Sequence, residues 1–202
     1  MEHKRRIVMF NRVSADGYFG GPDGNLDWVV PDDQLDAEGA AGISNTDTML
    51  FGRRTYDMFE SFWPRALADE KGPQDPHGPK RRSDAISKMA VWINDATKVV
   101  FSRTRKQVTW KNSRLVSEFD PQEIAAMKRT PGKDMIVFGS GSIVSQLTEH
   151  GLIDEYWFIV APVLLGSGKQ VIHDVTKRST LQLLEAKAYD SGNVRLRYTR
   201  KA

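Results

Sequence analysis

Three segments deliver an apolar, β-branched or aromatic run straight into glycine and small polar residues. They are Met49-Leu50-Phe51-Gly52-Arg53-Arg54-Thr55, Val99-Val100-Phe101-Ser102-Arg103-Thr104 and Ile136-Val137-Phe138-Gly139-Ser140-Gly141-Ser142-Ile143-Val144. A strand that ends this way and passes into a helix turns backbone N–H groups and a helix dipole toward an anion, so the shared chemistry is phosphate binding. In the first segment Gly52 permits close backbone approach, Thr55 offers a hydroxyl, and Arg53 and Arg54 stand where guanidinium groups grip phosphate oxygens in pairs. The plainer reading is a tight turn with two arginines in water. In the second, Ser102, Arg103 and Thr104 suit a monoester phosphate. The third has two glycines of the dinucleotide fingerprint but lacks the last one and lies late in the chain, so it argues for phosphate rather than for one particular fold.

Other chemistries lack their residues. Gly166-Ser167-Gly168-Lys169 looks like the end of a P-loop, but the earlier glycine would fall at Val163 and the final hydroxyl at Gln170. No Gly-x-Ser-x-Gly elbow is present. The four histidines, His3, His77, His150 and His173, are scattered without metal-ligand spacing, so no metal is expected. Zero cysteines exclude disulfides, zinc–thiolate and iron–sulfur sites and a cysteine nucleophile.

A glycine-rich stretch, Ser14-Ala15-Asp16-Gly17-Tyr18-Phe19-Gly20-Gly21-Pro22-Asp23-Gly24-Asn25, leaves the first apolar run and reads as a loop able to close over a site. After it Trp28-Val29-Val30-Pro31-Asp32-Asp33 sets an aromatic beside two carboxylates at a helix entrance, where capping is the competing role for either acid.

The elements that must hold these residues alternate as in an α/β domain with a sheet covered on both faces. Strands are expected at Ile7–Val13, Thr48–Gly52, Lys98–Ser102, Met135–Gly139, Tyr156–Val163, Gln182–Ala188 and Asn193–Tyr198, the last two joined by a turn at Asp190-Ser191-Gly192. Helices are expected at Asp33–Ser44, Arg53–Phe59, Ser83–Asn94, Pro121–Arg129 and Ser142–His150, with Asp120 capping the fourth. Between Pro64 and Arg82, Pro64, Pro73, Pro76 and Pro79 interrupt any periodicity, which marks a long insertion.

With 202 residues and 40% apolar content, the chain is expected to be a single domain with a full core. The apolar run behind the basic start is too short for a signal or membrane segment, so a soluble, cytoplasmic protein with no membrane partner is expected. The net charge of +3 comes from nearly balanced acids and bases. A nucleic-acid module, suggested by Lys4–Arg6 and Lys80–Arg82, is set aside because no aromatics interleave with the basic residues.

In order along the chain, Ser14-x-Asp16-Gly17, Gly52-Arg53-x-Thr55-Tyr56, Ser102-Arg103-Thr104, Gly139-Ser140-Gly141, Gly151-Leu152-x-Asp154-Glu155 and Pro162-Val163-x-x-Gly166-x-Gly168 resemble the dihydrofolate reductase-like superfamily. The resemblance is to the branch typified by the reductase domain of the bifunctional riboflavin-biosynthesis deaminase-reductase, and it runs from about residue 5 to the end. It implies a three-layer sandwich with a mainly parallel, twisted sheet and an antiparallel C-terminal strand or hairpin. It further implies a homodimer and a bound NADPH. Carried over by position, Gly52, Arg53, Arg54 and Thr55 match the segment at the cofactor's phosphates, Ser102 and Arg103 the region of its 2′-phosphate, and Gly139, Ser140, Gly141, Ser142 and Ile143 the turn at the pyrophosphate. Guanidinium groups in place of an acid favour NADPH over NADH. Trp28-x-x-Pro31-x-Asp33 resembles the dihydrofolate reductase stretch that binds and protonates the pteridine, which implies Asp33 as proton donor and Asp16, Trp28 and Asp33 as substrate contacts. The implied reaction is hydride transfer to a C=N or C=O carbon of a small heterocycle, a pyrimidine of riboflavin synthesis or a pterin. A binding or sensor protein that keeps the NADPH cleft without efficient chemistry is the alternative.

Overall fold

The computed structural model describes residues 4–66 and 84–201. The sheet strands are β1 (Ile7–Ser14), β3 (Thr46–Gly52), β4 (Thr97–Phe101), β5 (Ser113–Val116), β6 (Asp134–Phe138), β7 (Glu155–Ala161), β9 (Leu181–Ala188) and β10 (Val194–Arg200). They form one sheet in the order β5-β4-β3-β6-β1-β7-β10-β9. Only β10 runs against the rest, pairing antiparallel with both β7 and β9. A separate ribbon pairs β2 (Tyr18–Gly20) with β8 (Lys169–Gln170).

Parallel strands need crossovers, and the helices cover both faces. Along β1, Ile7, Met9 and Val13 pack with Ile124 of α4 (Pro121–Met127) and Ile143, Val144 and Leu147 of α5 (Gly141–Glu149). The alternate residues point the other way, as the two-residue period of a strand requires. Met49, Phe51, Val100, Ile136 and Phe138 pack with α1 (Asp33–Ile43), α2 (Arg53–Phe62) and α3 (Asp84–Asp95). The mixed sheet and its C-terminal hairpin are those read from the sequence. Gly192 lies in the left-handed region at φ 84° in the hairpin turn, and its N–H donates to the Tyr189 carbonyl at 2.9 Å. Asp120 caps α4 by accepting from the Gln122 N–H at 2.8 Å.

Charged residues lock the layers. Arg197 joins Glu155 and Glu185, Arg195 joins Glu185 and Glu38, and Lys187 reaches Glu38, tying the hairpin to α1. The basic start is drawn into the fold: Arg5 is buried and bonds Asp47, Thr48 and the Lys133 carbonyl, while Arg6 pairs with Asp134 and Glu155. Lys98 on β4 is fully buried, with Nζ donating to the carbonyls of Asn94 (3.0 Å), Ala96 (2.8 Å) and Lys111 (3.2 Å) and lying 4.4 Å from the centre of the Trp110 ring. Burial pulls this ammonium down to about 8. Of the proline-rich insertion, Pro64 and Arg65 complete a 3-10 turn that begins at Trp63, and residues 67–82, including Lys80–Arg82, lie outside the described residues.

Candidate functional site

The strand order sets the site. β4, β3 and β6 are consecutive neighbours, so the three glycine- and hydroxyl-rich ends fall side by side on one sheet edge, spanning about 10 Å at a strand spacing near 5 Å. Above them opens a cleft of about 1660 Å³, larger than the roughly 300–1,000 Å³ of a typical small-molecule site.

At β6 the chain must reverse sharply into α5. Gly139 and Ser140 both take positive φ, 53° and 60°, a costly conformation for serine that its hydroxyl helps hold. Ser140 Oγ accepts the Gly52 N–H at 2.8 Å and bonds Thr55 Oγ1 at 2.8 Å, stitching the end of β3 to the end of β6. Asn11 of β1, buried, accepts the Gly139 N–H at 2.8 Å from the other side. Because the Ser140 hydroxyl is used across the turn, α5 has no side-chain N-cap, and α2, which starts after Gly52, has none either. Neither helix carries an acid in its first turn, whereas α1 and α4 have aspartate caps and acidic first turns. Two positive helix ends with unused N–H groups therefore open on the cleft.

Gly52, Arg53, Arg54, Thr55, Ser102, Arg103, Gly139, Ser140, Gly141 and Ser142 all line it. Ile143 does not; it is buried beneath the turn. Arg53 pairs with Asp57 at 3.2 Å, while Arg54 and Arg103 have no carboxylate partner among the described residues. The Ser102 hydroxyl accepts from the N–H of Arg105 at 2.9 Å and of Thr104 at 3.3 Å, shaping the turn that presents Arg103. Arg105 itself is fixed, paired with Asp57 and Glu60 and lying over the Tyr56 ring.

The residues read as substrate contacts are placed elsewhere. Asp16 is exposed outside the cleft wall, where its carboxylate accepts from Ser14 Oγ (2.6 Å), Leu165 N (3.1 Å) and Gly166 N (2.7 Å). The Ser14 hydroxyl and the two amides hold it down at about 2. Asp32 is the N-cap of α1, accepting the Leu35 N–H at 2.7 Å, and that fixes the helix phase. Leu35, Asp36, Gly39 and Ile43 then face the cleft, and Asp33 is left exposed outside it. Trp28 is buried and does not line the cleft; Leu26 and Val29 do. The carboxylate that α1 presents is Asp36, ion-paired with Arg12 of β1. The sequence signal for Arg12 and Asn11 is two polar residues inside an otherwise apolar, covered strand. Gly20, Asp23 and Gly24 of the glycine loop and Lys169 of β8 form a further wall. Among the described residues no group of three His, Asp or Glu converges to hold a metal.

These features define the dihydrofolate reductase-like class of fold. The chain belongs to the family whose model is the RibD C-terminal domain, which matches residues 5–195. It is 27% identical over 195 residues, 96% of its length and 95% of the other, to the uncharacterized protein YyaP of Bacillus subtilis (strain 168). A putative riboflavin biosynthesis protein from Shewanella sp. PV-4 superposes with a TM-score of 0.72 at 22% identity, covering 98% of this chain and 99% of that one. A dihydrofolate reductase from Enterococcus faecalis, complexed with NADP(H), superposes at 0.61 with 11% identity and 99% coverage of both.

Proposed function

We propose that the protein is an NADPH-dependent reductase acting on a C=N or C=O carbon of a small substrate. The observation that carries this reading is the single sheet edge where three phosphate-suited strand ends meet two acid-free helix N-termini and two arginines that have no carboxylate partner among the described residues. The residues present fit the cofactor: the turn at Gly139–Ser142 accommodates a pyrophosphate, and Arg54 and Arg103 take the remaining phosphate charge. When bound, NADPH supplies the hydride. The chain's own contribution is to orient the two reactants, to exclude water with the Gly20–Gly24 loop and Lys169, and to hold the acceptor over the sheet end. Asp36 of α1 lines the cleft and is ion-paired with Arg12, and the proton that follows hydride is assigned to water. Asp33, outside the cleft, takes no part in the transfer.

Each phosphate–guanidinium contact contributes roughly 1.5–3 kcal/mol, so Arg54→Ala and Arg103→Ala should each weaken NADPH about 10- to 100-fold by calorimetry. Unchanged affinity in both variants would refute the assignment.

A further inference from the structure

We infer that Arg105 is a positioning residue that sets the preference for a nucleotide bearing a 2′-phosphate, by fixing the turn that presents Arg103 against α2. The inference rests on the reductase reading above and deepens it by naming a residue that tunes cofactor choice. Between β4 and β5 the chain crosses over through residues 102–112 without a helix or strand. Such a segment has no backbone ladder of its own, so its shape depends on what its side chains bind. At its start the Ser102 hydroxyl accepts the Arg105 N–H at 2.9 Å, which closes the turn around Arg103. The Arg105 side chain then carries the turn onto the helix. Its Nε donates to the Gln107 carbonyl at 2.8 Å, Nη1 pairs with Asp57, and Nη2 pairs with Glu60 at 2.5 Å. The guanidinium lies 4.7 Å from the centre of the Tyr56 ring.

The helix side of this joint is anchored as well. Asp57 and Glu60 stand one and two turns beyond Arg53, on one stripe of α2. Asp57 also pairs with Arg53 at 3.2 Å, and Glu60 accepts from the Tyr56 hydroxyl at 3.1 Å and from Thr109 of the crossover at 3.2 Å. Tyr56 is fully buried, and its hydroxyl is bonded to Ser113 of β5 at 3.1 Å. A planar guanidinium spans two carboxylates at once, which an ammonium on a flexible stem does not. Because Asp57 is shared, the turn carrying Arg103 and the helix start carrying Arg53 and Arg54 are held as one unit in the cleft wall. A phosphate that meets a guanidinium already in place has no loop to order first, and that preorganisation adds to its affinity. NADH has no 2′-phosphate to use it. The turn assigned to the pyrophosphate belongs to β6, with β3 between it and β4, so loosening Arg105 acts on the 2′-phosphate alone. A joint that merely held the fold together would weaken both nucleotides alike.

The test is calorimetric titration of the full chain with NADPH and with NADH, read as the ratio of the two affinities. Arg105→Met should lower the preference for NADPH about tenfold or more, with NADH changed by less than about twofold. Arg105→Lys keeps the charge that offsets Asp57 and Glu60 but cannot span them, so it separates positioning from field; it should lower the preference about threefold. In an Arg103→Ala background, Arg105→Lys should change the preference by less than about twofold, since the group it positions is gone. Should Arg105→Met fail to fold, the lysine variant and its pairing with Arg103→Ala decide alone. A wild-type preference in Arg105→Lys, an equal loss of both nucleotides, or an undiminished effect of the lysine in the Arg103→Ala background overturns the inference while leaving the reductase reading in place. Binding of neither nucleotide to the wild-type protein removes that reading and the inference with it.

Discussion

Replacing Gly52 with alanine should loosen the joint between β3 and β6. The backbone at Gly52 is ordinary (φ −83°), so any cost comes from space. A Cβ there would lie 2.7 Å from Ser140 Oγ, 2.9 Å from Ser140 Cβ and 3.3 Å from Ile143 Cγ1. The first two are closer than real Cβ atoms approach, and the serine cannot swing away without breaking its bonds to Gly52 N and Thr55 Oγ1. Losing one such bond costs about 1 kcal/mol, and overpacking adds about 1–3. The sum, about 2–4 kcal/mol, should lower a urea midpoint by roughly 1–2 M. Ser140→Gly removes the obstructing atoms and relieves a positive φ, offsetting its two lost bonds, so alone it should be close to neutral. In that background Gly52→Ala should cost about 1 kcal/mol or less, a coupling of about 2 kcal/mol in the double-mutant cycle. An equal cost in both backgrounds would show that the contact with Ser140 is not the cause.

Three further outcomes follow from other parts of the molecule. Asp16, held at about 2 in the folded chain against an ordinary 3.8, should stabilise the Ser14–Gly166 junction above about pH 4 and lose that effect as pH falls toward 2; an Asp16→Asn stability difference that stays flat over this window would contradict it. Lys98, lowered to about 8 from 10.5, disfavours the folded state while charged, a penalty relieved as pH rises from about 8 to about 10.5. The stability of wild type relative to Lys98→Met should therefore increase over that range in urea titrations, and a constant difference would refute the account. Asn11→Leu, which leaves the Gly139 N–H without its buried acceptor, should destabilise the chain by about 1–3 kcal/mol; no change in the urea midpoint would show that the turn does not depend on it.

The sequence reading of the fold succeeded where signals were long. Among the described residues, seven of the eight strands of the large sheet and the five α-helices show in apolar periodicity and in caps such as Asp120. The elements not read, β2, β5 and β8, are short or polar: Tyr18–Gly20, Ser113–Val116 and Lys169–Gln170 each lack an alternating pattern. The phosphate-suited residues were legible because they are contiguous and follow strands. The rest of the cleft was not. Phe10, Arg12, Asp36, Phe59 and Phe138 come from four elements, and only strand order and helix phase bring them together. Asp33 illustrates the limit: one residue's change in which aspartate caps α1 decides which carboxylate meets the cleft.

The central claim is that this sheet edge holds a dinucleotide bearing a 2′-phosphate. Titration of the full chain with NADPH and with NADH, followed by quenching of tryptophan fluorescence, tests it most directly, since Trp63 lines the cleft. The account predicts micromolar NADPH binding with NADH weaker by about tenfold or more, and a preference that shrinks in Arg54→Ala or Arg103→Ala. Equal affinity for the two nucleotides, or binding of neither, would contradict it.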